Sequence, residues 1–115
     1  METQITLKNG ITVDKQAIAQ MAGIAAFEVE NVYSLHGKVT RDIIEKLGIK
    51  IIKRSVEVNI LDDGNFEINL NVKIKYGVDI NATAKNIQEA VNNSIEQSLG
   101  MKPVAININV VDVEF

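Results

Sequence analysis

The chain has 115 residues, 46% of them hydrophobic, a formal net charge of −3 and no cysteine. This length and composition predict a single folded domain over residues 1–115 and exclude a disordered chain. The missing cysteines exclude disulfides, thiolate nucleophiles and cysteine-built zinc sites. The negative charge argues against nucleic acid as the main partner and against direct adhesion to anionic lipid.

A short strand and a helix are the first predicted elements. Ile11, Thr12 and Val13 favour a strand, and Asp14 is suited to cap a helix over residues 15–28. Residues 1–10 lack the basic and apolar segments of a signal peptide. The least polar stretch, residues 17–27, is shorter than the roughly 20 residues of a membrane span. We therefore expect no direct membrane insertion.

The predicted first helix is unusually apolar. Its core-facing residues recur at helical spacing: Ile18, Met21, Ala22, Ala25 and Val29. Residues 16–27 carry no charge. A helix that is apolar nearly all round is covered on more than one side, so we expect it to pack on a sheet and against either a second element or another subunit. The candidate partner-contact residues on this helix are Gln16, Gln20, Gly23, Ile24 and Phe27.

The middle of the chain is predicted to contain a short strand, a polar loop and a hairpin. Residues 31–35 favour a strand or turn. Residues 37–48 are the most polar stretch and include a short amphipathic helix ending at Gly48, which we interpret as a mobile or partner-contacting loop. Asp62, Asp63, Gly64 and Asn65 supply turn chemistry between two strands.

A long strand and a long helix follow the turn. From Phe66 onward, apolar and polar residues alternate, which is typical of a sheet with one buried and one wet face. Asp79 or Asn81 can cap the next helix, whose apolar residues repeat at helical spacing up to Leu99. Gly100 stands where a helix-ending glycine is expected.

The final strand, over residues 104–114, alternates apolar and polar residues until Val110, where the phase of the alternation shifts. Such a shift predicts a β-bulge. The amides of the last two strands are candidate partner contacts on the exposed sheet face: Asn69, Asn71, Asn107 and Asn109. The element order predicts an α+β fold, with a mostly antiparallel sheet of about four strands and two main helices packed on one face.

Residues suited to catalysis or cofactor binding are few. His36, the single histidine, has no accompanying nucleophile motif. One histidine and no cysteine leave no typical metal-ligand set, and the seven glycines are scattered rather than grouped into a phosphate-binding loop. We therefore predict a protein without a catalytic, cofactor-binding or metal site, and not an enzyme.

Basic residues gather on the hairpin: Lys50, Lys53, Arg54, Lys73 and Lys75. One interpretation is an RNA-binding β-ribbon, and the other is a solvated sheet face with cross-strand ion pairs to Glu57 and Glu67. Aromatic residues make up 4% of the chain and none is interleaved with this patch, which favours the solvated face. RNA binding is kept as an alternative function.

Five motifs carry a family resemblance: GITV at residues 10–13, AIAQMAGIAA at 17–26, VKIKYGVDI at 72–80, IQEAV at 87–91, and the closing strand after Leu99-Gly100. In order and spacing they resemble the alkaline shock protein family of Gram-positive bacteria, also called the envelope stress response family. The resemblance covers nearly the whole chain and is weakest over residues 35–49. The chain lacks the long polar extensions of the abundant members and is similar to the short members.

The resemblance implies a non-enzymatic cytosolic protein tied to cell-envelope homeostasis and stress, and it carries over no catalytic residue. It also implies that some members reach the membrane through a small membrane-anchored partner with a related domain. We therefore expect a cytoplasmic interaction or scaffold protein that self-associates or docks on partner proteins, with membrane association only through a partner. Short members are often encoded beside a dihydroxyacetone-kinase-like or fatty-acid-kinase protein, so a second alternative is an accessory subunit of a lipid or small-molecule kinase.

Overall fold

The structure, a computed structural model, describes residues 3–35 and 55–114. Its elements in chain order are β1 (Gln4–Thr6), β2 (Thr12–Asp14), α1 (Lys15–Phe27), β3 (Val32–Leu35), β4 (Val56–Ile60), β5 (Phe66–Lys75), α2 (Ile80–Leu99) and β6 (Ala105–Glu114). The predictions for His36, for the 37–48 loop and for Lys50, Lys53 and Arg54 fall outside the described residues.

β5 is the centre of a four-stranded sheet in the described part of the chain. One side of β5 pairs with β6, while the other side pairs with β4 over its first half and with β3 over its second half. The β3 and β4 pairings are antiparallel and the β6 pairing is parallel. With α1 and α2 packed on one face, this arrangement confirms the predicted α+β fold and mostly antiparallel sheet.

The parallel pairing of β5 and β6 follows from the 20-residue helix between them. Parallel neighbours need a long crossover, whereas antiparallel neighbours are joined by short turns. Asp79 caps this helix, since its Oδ1 accepts the Ala82 N–H at 3.0 Å. Gly100 ends the helix with a φ of 73°, a left-handed backbone that favours glycine. Both caps confirm the prediction, with Asp79 rather than Asn81 at the start.

The core lies between the sheet and the two helices. Alternate residues of β5 are fully buried: Phe66, Ile68, Leu70, Val72 and Ile74. α2 adds Ile87, Val91 and Ile95, which share one helix face and are also fully buried. The strand period of two and the helix period of about 3.6 thus place both apolar rows in one layer. Burial of each such side chain stabilises the fold by about 1.5–3 kcal/mol.

α1 begins after Asp14, whose Oδ1 accepts the Gln16 N–H at 2.8 Å, which confirms the predicted cap. The helix contacts α2 as well as β3 and β4. Its buried residues cover a broad arc: Ile18, Ala19, Ala22, Gly23, Ala25 and Ala26. The sequence predicts that either a second element or another subunit covers this apolar helix. In the structure, the second element is α2, which packs against α1.

β1 is an addition to the predicted elements, whereas β2 corresponds to the strand predicted at Ile11, Thr12 and Val13. β1 pairs antiparallel with β2, and Ile5 lies opposite Val13. Ile5 is buried in the core between exposed Gln4 and Thr6. A three-residue strand with one buried side chain is too short to show a period-two pattern, so the sequence does not predict it.

Candidate interaction surface

The sheet face opposite the helices is lined by amides. In the β5–β6 register, Asn69 lies beside Asn107 and Asn71 beside Asn109. Asn107 Nδ2 donates to Asn69 Oδ1 at 2.8 Å, and Asn109 Nδ2 donates to Asn71 Oδ1 at 3.1 Å. The β5 amides are half-buried and the β6 amides are exposed. The structure therefore brings the four sheet residues predicted as contacts into one ladder, whose outer members face solvent.

The polar face continues onto β4 with two carboxylates. Asn59 Nδ2 donates to Glu57 Oε1 at 3.1 Å and to Glu67 Oε1 at 3.3 Å. The register places Asn59 rather than a lysine beside Glu67. In one interpretation of the sequence, Glu57 and Glu67 form ion pairs with hairpin lysines. Within the described residues, both carboxylates accept hydrogen bonds from Asn59 at these positions. One amide bridging two acidic side chains leaves this side of the face negatively charged.

Lys73 and Lys75 lie near the other end of β5. The register sets Lys73 beside Asp112 and Lys75 beside Glu114. Opposite charges on neighbouring strands attract, and they reduce the positive potential that a phosphate backbone would meet. The described part of the basic patch is therefore matched by acidic residues, which argues against the RNA-binding alternative.

β6 contains the predicted β-bulge, at Val111. The register passes from Val110 to Asp112 against consecutive residues of β5, so Val111 is the extra residue. After the bulge, Val113 lies beside Ile74 on the buried face. Val111 itself is 45% exposed. The bulge thus keeps the core pattern of the strand and adds one exposed apolar side chain at its edge.

β6 is an edge strand in the part of the chain that the structure describes, because it pairs with β5 alone. Gln88 Nε2 on α2 donates to Ile106 O at 2.9 Å. A shallow groove of about 300 Å³, lined in part by Gln88, Asn92 and Val104, runs between α2 and the start of β6. Val104 is 55% exposed. Neither residue was predicted as a contact, since the helical pattern marks Gln88 as a surface position and the strand pattern places Val104 in the apolar row with Ile106 and Ile108.

The predicted contact residues on α1 do not form one exposed patch. Gly23 is buried, and Gln20 and Phe27 are half-buried. Gln16 is exposed and Ile24 is 37% exposed. Because α2 and the sheet cover much of the helix, α1 offers a partner less apolar surface than its sequence pattern indicates.

Side chains that could bind a metal ion are not clustered in the described part of the chain. The described residues hold no group of three or more His, Cys, Asp and Glu side chains that could bind a metal ion. A recess of about 590 Å³ beside β1 and β4 has Lys15 and Asp62 as its charged lining residues. Within residues 3–35 and 55–114, neither helix is long and apolar enough to cross a membrane.

Comparisons with known proteins identify the family. Residues 3–115 match the alkaline shock protein 23 family, described as having a cell envelope-related function. YqhY of Bacillus subtilis (strain 168) is 27% identical over 115 residues, which cover 100% of this chain and 84% of YqhY. Spy1614 of Streptococcus pyogenes serotype M6 is 29% identical over 117 residues, covering 99% of this chain and 96% of Spy1614. The names of these relatives assign no activity, and no solved structure matches the chain. The match over nearly the whole sequence shows that the chain belongs to the alkaline shock protein 23 family.

Proposed function

We propose that the chain is a non-enzymatic interaction module that acts in the cytoplasm by binding proteins, within the cell envelope-related function of its family. The observation that carries the proposal is the amide-lined sheet face, which ends at an edge strand. Asn107 and Asn109 each use one side-chain N–H in the ladder. In the described part of the chain, this leaves their side-chain oxygens and second N–H groups available to a partner.

An amide surface suits protein recognition better than catalysis. Each amide donates and accepts hydrogen bonds without changing charge, so it can match backbone or side-chain groups of another chain. Catalysis needs a nucleophile, an acid or a base held at a defined position. The chain has one histidine and no cysteine, which supports a binding role.

The partners that we propose are proteins: a second copy of this chain, or a membrane-anchored protein with a related domain. The net charge of −3 opposes direct adhesion to anionic lipid. A membrane-anchored partner would therefore bring the chain to the membrane. The resemblance to the short alkaline shock proteins supports this route.

Affinity purification from the native cell, followed by mass spectrometry, tests the proposal. The face variant is Asn107→Ala with Asn109→Ala, and the matched control is Lys85→Ala with Glu89→Ala on the exposed side of α2. We expect the wild type and the control to recover an envelope or related-domain protein, and the face variant to recover less. Circular dichroism and thermal unfolding establish that both variants are folded.

Two results would contradict the proposal. One is a monomeric wild type that recovers no envelope or related-domain protein. The other is RNA retained at low salt by the wild type and lost on Lys73→Glu with Lys75→Glu, which would favour the RNA-binding alternative.

A further inference from the structure

We propose that the outer edge of β6 is a self-association site, where a second copy of this chain adds its own β6 in antiparallel orientation about a two-fold axis. The inference rests on the proposed protein-binding function and names both the partner and the contact. The pairing segment is residues 105–110, with Ile108 at the axis. The two four-stranded sheets thereby become one continuous sheet.

The backbone of β5 alternates between its two neighbours. Asn71 N–H donates to Ser55 O, next to β4, at 2.8 Å, whereas Tyr76 N–H donates to Glu114 O on β6 at 2.9 Å. Successive residues of a strand point their N–H and C=O groups to opposite sides. The even-numbered residues of β5 therefore bond toward β6.

This alternation determines which groups of β6 face outward. In a parallel pair, a residue forms hydrogen bonds with the two residues that flank its register partner. Before the bulge, the even-numbered residues of β5 are in register with even-numbered residues of β6, so they bond the flanking asparagines of β6 through the backbone. The N–H and C=O groups of Ile106, Ile108 and Val110 then point away from β5. The contact of Gln88 Nε2 with Ile106 O, made from outside the ladder, agrees with this direction. Among the described residues, no strand pairs with this outward row.

The pairing segment, residues 105–110, is uncharged and is bounded at both ends. Proteins block edge pairing with charged residues and prolines, and residues 105–110 contain neither. Pro103 precedes the segment and the bulge at Val111 follows it. The ends are therefore closed to a longer ladder, while residues 105–110 remain able to pair.

In a two-fold pairing centred on Ile108, each face of β6 brings side chains of the same kind together. On the helix side, Ile106 of one copy lies beside Val110 of the other, and these half-buried side chains extend the apolar layer. On the opposite side, Asn107 lies beside Asn109, and the amide ladder continues across the axis. The outward backbone groups of residues 106, 108 and 110 are also brought opposite one another.

The flanking charges favour the antiparallel orientation. Lys102 precedes the pairing segment, and Asp112 and Glu114 follow it, so the two-fold pairing brings the basic end of each segment toward the acidic end of the other. Lys102 is 61% exposed, and its Nζ lies 3.5 Å from Glu96 Oε2. A parallel pairing would instead set Asp112 and Glu114 beside the same residues of the second copy, and like charges repel.

An exposed valine lies at each end of the segment. Val104 is 55% exposed and Val111 is 45% exposed. In the pairing centred on Ile108, Val111 of one copy lies opposite Ala105 of the other. The pairing thus brings Val111 of each copy against the other copy, which adds an apolar contribution to the backbone hydrogen bonds.

Charge-pairing variants test this register. Asn107→Lys with Asn109→Lys sets lysine against lysine twice across the axis, whereas Asn107→Lys with Asn109→Asp sets lysine against aspartate twice. Both variants lose the same two intrachain amide hydrogen bonds, so the second is a matched control for the first. By sedimentation velocity and native mass spectrometry, we expect a dimer for the wild type and the lysine–aspartate variant. We expect a dissociation constant about tenfold higher for the lysine–lysine variant.

Each other outcome overturns a defined part of the inference. Equal weakening of both variants overturns the register, because an in-register parallel pairing, or an antiparallel pairing centred on Asn107 or Asn109, sets like charges together in both. A dimer that neither variant affects overturns the site. A monomeric wild type that still recovers an envelope protein overturns the self-association but leaves the proposed function standing. A monomer that recovers no such protein overturns both.

Discussion

Removal of the bulge tests the sheet register on which the interaction surface depends. Val110 lies beside Val72, and Asp112 lies beside Lys73, the next residue of β5. Deletion of Val111 makes Asp112 follow Val110 directly, which matches this spacing. Every remaining pair between β5 and β6 can therefore persist. A deletion inside a regular strand instead turns every later side chain to the opposite face.

The magnitude follows from the exposure of the residues involved. Val111 is 45% exposed, so we expect its deletion to change the free energy of unfolding by less than about 1 kcal/mol. The control is deletion of Asn71 in β5, which turns Val72 and Ile74 toward the polar face. Both side chains are 0% exposed, and exposing the pair costs about 3–6 kcal/mol.

Urea denaturation followed by circular dichroism measures both deletions. A loss above about 3 kcal/mol on deletion of Val111, comparable to that of the control, refutes the register. The deletion also bears on self-association, because it removes an exposed valine from the pairing edge. A folded deletion variant should therefore dimerise more weakly than the wild type in sedimentation velocity.

Three further predictions concern single side chains. Ser34 Oγ is buried without a hydrogen-bond partner in the described part of the chain. Ser34→Ala should therefore raise the free energy of unfolding by about 1 kcal/mol in urea denaturation. A lower free energy of unfolding for this variant would contradict the prediction. Asp79→Ala should lower it by about 1 kcal/mol through loss of the helix cap, while Asp79→Ser should retain most of the stability. The backbone and side-chain N–H groups of Asn65 hold the pKa of Asp63 below its usual value; Asn65→Ala should raise this pKa partway in an NMR titration, because the backbone donor remains. Since the folded pKa is lowered, the wild-type turn gains stability above the ordinary aspartate pKa and loses it as the pH falls through the folded value.

The helix ends and the bulge could be predicted because their causes are local. Asp14, Asp79 and Gly100 act on backbone groups within one helical turn, so the sequence around each position is sufficient. The bulge at Val111 follows from a change of phase within a single strand. The amide face likewise follows from the alternation of β5 and of β6.

The remaining features depend on contacts between distant segments. From the sequence, either a second element or another subunit could cover α1, and only the placement of α2 against α1 distinguishes the two. Gln88 reaches Ile106 O, 18 residues away in the chain, which no helical pattern indicates. The burial of Ile5 depends on a strand too short to show a period. The reduced exposure of Gly23 and Phe27 is a further consequence of the helix packing.

Amide hydrogen exchange along β6, followed by NMR at low and high protein concentration, tests the interaction surface most directly. At low concentration, the N–H groups of Asn107 and Asn109 should be protected by their bonds to β5, while those of Ile106, Ile108 and Val110 should exchange rapidly. At high concentration, the N–H groups of Ile106, Ile108 and Val110 should be protected as well. Rapid exchange of Ile108 and Val110 at every concentration would contradict strand pairing at this edge, and so would protection that is already complete at low concentration.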